Sequence, residues 1–232
     1  MKTVNIIVAG VGGQGSILAA HILGKAVLRR KDPDPGGRPL KVRIGETYGA
    51  AMRGGKVFSH VRFGDAQAPL TTEDGAQMVI GLEPLEALRV AIPYLAPDGV
   101  AVVNTARSVP ADVKMGRAVY PDVDDILASL RKLGGQVVAF DATAAARELG
   151  KAAVMNSVML GAASATGRLP VDEQALRETI AEEAPPGTAD LNLRAFDKGR
   201  EIVRNLLAGG AADRSVRGPG DASACSRTGA PA

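Results

Sequence analysis

The sequence predicts an α/β fold with a mostly parallel sheet, and three observations predict it. Short apolar, β-branched runs recur at 4–9, 77–82, 100–104 and 137–141. Segments rich in Ala, Leu and Ile, with helical spacing, separate them. The first run leads at once into Gly10-Val11-Gly12-Gly13-Gln14-Gly15 and then into one of those segments. Strands alternating with helices read as βαβ units. A glycine-rich turn joining a strand to a helix suits the first βα connection of a Rossmann-like, three-layer fold.

The elements follow in order. After strand 4–9 and the glycine turn, a helix is predicted over 16–30, with Ser16 as its cap and Arg29-Arg30-Lys31 at its negative end. Asp32-Pro33-Asp34-Pro35-Gly36-Gly37 breaks it. Lys41-Val42-Arg43-Ile44 alternates as a second strand. Residues 56–63 alternate more cleanly, with Val57, Ser59, Val61 and Phe63 on one face and His60 on the other. That pattern predicts a half-exposed strand that adds an antiparallel member to the sheet. A helix over 83–94 separates the strands at 77–82 and 100–104, and strand 137–141 precedes helices at 143–149, 156–165, 172–183 and 191–207. From 209 to 232 there are five Gly, six Ala, three Ser and two Pro, and Val216 is the sole large aliphatic residue. Such a stretch cannot build a core, so the expected organisation is one domain over 1–208 and a disordered tail over 209–232.

Composition narrows the function. The chain has 232 residues, 46% of them hydrophobic and 23% charged, with a mean hydropathy of +0.05, as an ordinary globular domain has. Its longest apolar runs are far shorter than the ~20 residues of a membrane span, so no membrane association is expected. A single cysteine, Cys225, cannot form an internal disulfide, a four-thiolate iron–sulfur site or a cysteine-rich zinc site. One cysteine and no signal peptide suit a reducing cytoplasm. The two histidines, His21 and His60, leave little for a histidine-built metal site, so no metal is expected on this chain. The net charge is +3, yet residues 24–43 alone carry seven Lys/Arg against Asp32 and Asp34. None of the seven aromatic residues falls in that patch, so a base-stacking nucleic-acid surface is not expected. The patch reads as a solvated face, or as a contact for a phosphate or an acidic partner subunit.

Gly10-x-Gly12-x-x-Gly15 satisfies the dinucleotide fingerprint in its position as well as its letters. Glycines there let backbone N–H groups approach a pyrophosphate at the positive end of a helix. A nicotinamide site also wants an acid at the end of the second strand, about 20 residues on. The first acid at a strand end is Glu46, 31 residues past Gly15. A stand-alone Rossmann-like NAD- or FAD-binding protein and an empty structural turn therefore both stay open on this motif alone.

The glycine turn joined to Glu46-Thr47-Tyr48-Gly49-Ala50-Ala51-Met52-Arg53-Gly54-Gly55 resembles the gamma-type domain of the 2-oxoacid:ferredoxin oxidoreductases. Glu83-Pro84-Leu85-Glu86-Ala87-Leu88-Arg89, Val102-Val103-Asn104-Thr105 and Asn156-Ser157-Val158-Met159-Leu160-Gly161-Ala162 fit the same family in the same order, over roughly 4–207. The run Ser59-His60-Val61-Arg62-Phe63-Gly64 and the Glu83–Leu88 run are similar to its indolepyruvate branch. The resemblance implies a coenzyme A-dependent oxidative decarboxylation of a 2-oxoacid, an aryl pyruvate in that branch, giving an acyl-CoA, carbon dioxide and reduced ferredoxin. It implies further that thiamine diphosphate and [4Fe-4S] clusters sit on a large alpha subunit, that this chain owns neither, and that it is inactive alone.

Under that resemblance, Gly10, Gly12, Gly13, Gln14, Gly15 and Ser16 are expected to present donors to a phosphate, the pyrophosphate of coenzyme A first, or to a loop of the partner. Arg53, between Met52 and two glycines, is expected to clamp a carboxylate or phosphate, or to form an interface salt bridge. Glu46 would orient Arg53 or meet the partner. Asn104, at the end of a strand, stands where α/β folds bind ligands, or caps a loop. Asn156 is expected to cap the helix that follows it. Catalytic roles are not expected for His21, for Cys225 or for His60 on its outer face.

Overall fold

The computed structural model describes residues 3–29, 41–49, 54–109, 113, 115–133 and 135–214, the last five by their backbone alone. Arg53 and Cys225 lie outside the described residues. The strands are β1 (Val4–Val11), β2 (Lys41–Tyr48), β3 (Lys56–Gly64), β4 (Ala76–Gly81), β5 (Leu95–Asn104) and β6 (Gln136–Phe140). The helices are α1 (Ser16–Leu28), α2 (Pro84–Tyr94), α3 (Val123–Lys132), α4 (Ala142–Glu148), α5 (Met155–Ala165), α6 (Glu173–Glu183) and α7 (Ala189–Arg214). One six-stranded sheet runs β2-β3-β1-β4-β5-β6. β1, β4, β5 and β6 are parallel, and β3 runs antiparallel to both β1 and β2. The α/β architecture with a mostly parallel, mixed sheet is as the sequence predicted.

Parallel strands are buried on both faces, which is why they read as continuous apolar runs. In β1 the period of two sends Ile6 and Val8 into one core, with α1 and α5, and Ile7 and Ala9 into the other, with α2 and α3. All four are fully buried. Helix α5 lies against α7 through two glycines. A Cβ on Gly161 would stand 1.9 Å from the Phe196 carbonyl oxygen, and one on Gly199 1.9 Å from that of Val158.

Several expectations are corrected. β3 is not half-exposed, because β1 and β2 flank it, α1 packs over one face, and Phe58, His60 and Tyr94 stack on the other. His60 is therefore 1% exposed. Ser16 does not cap α1; it is the first helical residue, and Gly15 at φ 81° takes the cap position with no side-chain bond. Asn156 does not cap α5 either, since it lies inside the helix. β2 runs on to Tyr48, and β5 begins at Leu95, directly after α2. α3 was not predicted, although Asp122 caps it and Asp124, Asp125, Arg131 and Lys132 complement its dipole. α7 runs on to Arg214, past the helix end expected at 207.

Part of the basic patch is answered within the chain. Lys25 pairs with Glu183, and Arg29 with Glu182 and Glu178, all three acids lying on α6. Among the described residues no helix is long and apolar enough to cross a membrane, and no group of His, Cys, Asp or Glu is arranged to hold a metal.

Candidate functional site at the carboxyl edge of the sheet

The carboxyl ends of β1, β4, β5 and β6 lie on one edge, the edge at which open α/β sheets bind ligands. The glycine turn closes β1 there. The Gly12 N–H donates to the Gly55 carbonyl at 2.8 Å and the Gly54 N–H to the Gly12 carbonyl at 3.3 Å, so the start of β3 lies against the turn. The Gln14 N–H closes the turn onto the Val11 carbonyl at 3.0 Å. The Gln14 side chain folds back under it, its Oε1 accepting from Val11 N–H at 2.7 Å and its Nε2 donating to the Leu82 carbonyl at 3.3 Å. Gly10 leaves room for this, since a Cβ there would stand 2.8 Å from Gln14 Oε1.

Gly13, at φ 104°, has open space beyond its Cα, and Gly15, at φ 81°, holds the cap position of α1. Among the described residues the N–H groups of Gly13, Gly15 and Ser16 have no acceptor. They lie at the positive end of a 13-residue helix, where an anion is favoured. Asn156 reaches the turn from α5, its Nδ2 donating to the Gly15 carbonyl at 3.2 Å.

Asn104 is fully buried and fully engaged. Its Nδ2 donates to the Leu82 carbonyl and to Thr143 Oγ1, both at 3.0 Å, and its Oδ1 accepts from Ala106 N–H at 3.2 Å and Ala142 N–H at 3.0 Å. Gln14 and Asn104 thus brace the edge. Glu46 stands apart from the turn, two strands away on β2. It meets His21 Nε2 at 3.3 Å and accepts from the Tyr48 hydroxyl.

The sequence reading missed Glu83, Glu86, Arg89 and Tyr120. Glu83, fully buried just past β4, caps α2 through Glu86 N–H at 2.9 Å and accepts from the Tyr120 hydroxyl. One carboxylate thus ties the start of α2 to Tyr120, which stands just before α3. Glu86, 2% exposed, pairs with Arg89 at 2.6 Å. Burial raises both carboxyl pKa values, against the opposing pull of Tyr120 and backbone donors on Glu83 and of Arg89 on Glu86. The signal was present: an acid directly after a buried strand, then Pro at the first helical position and an acid three residues on.

A nicotinamide reading fares poorly here. The strand beside β1 on the α1 side is antiparallel β3, and the residue it sets opposite Val11 is Lys56, a base where a ribose-binding acid would be needed.

The family model for pyruvate ferredoxin/flavodoxin oxidoreductases matches residues 5–202. The chain belongs to that family. It is 39% identical over 209 residues to the indolepyruvate oxidoreductase subunit IorB of Thermococcus kodakarensis, covering 89% of this chain and 99% of that one. The crystal structure of the keto/oxoacid ferredoxin oxidoreductase gamma subunit from Geobacter sulfurreducens superposes with a TM-score of 0.59 at 25% identity, over 87% of this chain and 99% of that one. A 2-oxoglutarate:ferredoxin oxidoreductase from Magnetococcus marinus, with 2-oxoglutarate, coenzyme A and succinyl-CoA bound, shares the fold at a TM-score of 0.62 and 22% identity, over 89% of this chain and 32% of that longer one.

Proposed function

We propose that this chain is the small subunit of an indolepyruvate-type 2-oxoacid:ferredoxin oxidoreductase. The observation that carries the reading is its similarity to IorB over nearly the whole of that subunit. The reaction is the coenzyme A-dependent oxidative decarboxylation of an aryl pyruvate to an aryl-acetyl-CoA and carbon dioxide, with the electrons passing to ferredoxin. Thiamine diphosphate and the [4Fe-4S] clusters belong to a large alpha subunit, and a chain with one cysteine does not fit a cluster of its own. The isolated chain is inactive in this reading.

Its own residues act at the carboxyl edge. The N–H groups of Gly13, Gly15 and Ser16 take an oxygen of the coenzyme A pyrophosphate. Gly10, Gly12, Gln14 and Asn104 hold the turn and the neighbouring strand ends in register for that contact. Arg53, next in sequence to Gly54, supplies a guanidinium for a phosphate or carboxylate in this reading. Glu46 meets the partner.

The test is recovery of the tagged full chain from its host without oxygen, followed by a viologen-reduction assay driven by aryl pyruvate. Expected is a large thiamine- and iron–sulfur-binding partner, activity that requires coenzyme A, and a raised KM for coenzyme A when Gly13→Asp puts a carboxylate at the turn. Recovery of the chain alone with a bound nicotinamide or flavin would overturn the reading.

A further inference from the structure

A cavity of about 130 Å³ lies between α1, the start of α5 and the α6–α7 connection. Its apolar wall is made by Leu18 and Ile22 of α1, Val154 before α5, Ile180 of α6 and Pro185 after it. Ile22, Val154 and Ile180 are buried, while Leu18, in the first turn of α1, is left 44% exposed. The volume is close to that of apolar cavities of about 150 Å³ that stay dry and take up benzene. It suits a single ring or a branched aliphatic group.

The polar side chains of the walls are largely answered within the chain. Ser157 Oγ donates to Asn192 Oδ1 at 2.8 Å, and Asn192 Nδ2 to the Thr188 carbonyl at 2.9 Å. Asn156 Nδ2 donates to the Gly15 carbonyl at 3.2 Å. Glu183 is paired with Lys25 at 2.5 Å, so a cationic ligand would find no carboxylate that lacks a partner. Lys151 is the other charged residue of the walls; it is exposed and has no ion pair among the described residues. An ammonium on a flexible stem can meet an acid group at the mouth of the cavity while keeping most of its own hydration. Volume and charge together call for an apolar body of one ring's size with a single negative charge at its end.

We propose that this cavity binds a small monocarboxylate, whose aromatic or branched apolar group lies against Leu18 and Ile22 while its carboxylate meets Lys151. Asn156 lines the cavity and holds the Gly15 carbonyl, so an occupant packs against the residue that braces the glycine turn. The site draws on no part of the coenzyme A reading.

The probe is phenylacetate, offered at low salt to the full chain and, separately, to its complex with whatever partner co-purifies, with binding followed by saturation-transfer NMR. 2-Phenylethanol supplies the ring without the charge, and acetate the charge without the ring. Phenylacetate is expected to bind at least about threefold more tightly than 2-phenylethanol, the margin of one partly exposed ion pair. Its margin over acetate, which buries no ring, is expected to be at least about tenfold. Lys151→Met is expected to erase the first margin and leave the ring bound. Ala153→Phe, which fills the cavity from an exposed position on its wall, is expected to lose both aromatic probes. Phenylacetate that binds no better than acetate, a margin over 2-phenylethanol that survives Lys151→Met, or unchanged binding to Ala153→Phe would each overturn the proposal. So would binding to the chain alone that vanishes in the complex, since a partner's side chain would then be the occupant.

Discussion

Gln14 and Asn104 donate to the same carbonyl, that of Leu82, from opposite sides of β4, at 3.3 and 3.0 Å. Leu82 in turn donates its N–H to Ala9 at 2.7 Å, so the carboxyl ends of β1, β4 and β5 are tied at one residue. Replacing Asn104 with alanine strands the buried Ala142 N–H and takes a donor from Leu82. Each orphaned buried group costs about 1–3 kcal/mol, and Asn104→Ala is expected to lose about 3 kcal/mol in urea unfolding. Asn104→Asp, which turns two donors into acceptors facing Leu82 and Thr143, is expected to lose at least as much.

Gly15 and Asn156 are coupled by the same kind of closeness. A Cβ on Gly15 would stand 2.4 Å from Asn156 Nδ2, at a φ of 81° that other residues resist. Gly15→Ala therefore combines about 1 kcal/mol of backbone strain with displacement of Asn156. Asn156→Ala removes the obstacle but not the strain. The double variant is expected to be more stable than the sum of the single effects by at least about 0.5 kcal/mol. Gly13→Ala, with a φ of 104° but open space, is expected to couple to neither.

The parts of this fold that were legible in the sequence were those set by local pattern. The apolar runs of β1, β4, β5 and β6 and the glycine turn announced the sheet and its ligand edge, because both depend on period and on φ. What the sequence hid was set by distant neighbours. His60 alternates outward along β3 and is nevertheless buried, because Tyr94 of α2 and the Thr71 segment close over it. Glu83 read as part of a family motif, and its role as a clamp exists only once Tyr120 returns to it from the β5–α3 connection. Ser16 and Asn156 had the chemistry of caps, but Gly15 takes the cap position of α1 and Val154 that of α5, and Asn156 instead donates to the Gly15 carbonyl. Helix α3 was missed despite an apolar spacing at Val123, Ile126, Leu127 and Leu130, because the polar stretch before it masks the start.

The ion pairs that answer Lys25 and Arg29 lie on the surface, with the basic side chains 56% and 33% exposed. Pairs of that kind contribute about 0–1 kcal/mol. Glu182→Gln and Glu183→Gln are each expected to change stability by less than about 1 kcal/mol, with the effect fading in molar salt as screening tightens. The informative readout is retention on an anionic column, which is expected to rise in both variants as the basic side chains are released.

His60 makes the fold sensitive to acid in a direction that can be separated from the buried carboxyls. Its Nδ1 accepts from Thr71 N–H at 3.3 Å, and its ring meets Phe58 and Tyr94 edge-on. Burial, with Arg62 nearby, lowers its pKa to about 4. Between about pH 6.5 and 4 the unfolded chain takes up a proton at this residue and the folded chain does not, so stability falls as pH falls through that window. The shift corresponds to a loss on the order of 3 kcal/mol. Glu83 and Glu86, with raised pKa values, have the opposite sign: above the ordinary carboxyl range the unfolded chain has ionised while they still hold protons, so their contribution grows as pH falls. His60→Gln keeps an acceptor for Thr71 but loses the ring's packing against Phe58 and Tyr94 and removes the titration. In urea unfolding it is expected to be less stable than wild type near pH 7.5, and the gap is expected to narrow or reverse toward pH 4.5. A gap that stays constant across this range would mean that the His60 proton is not what links this fold to pH.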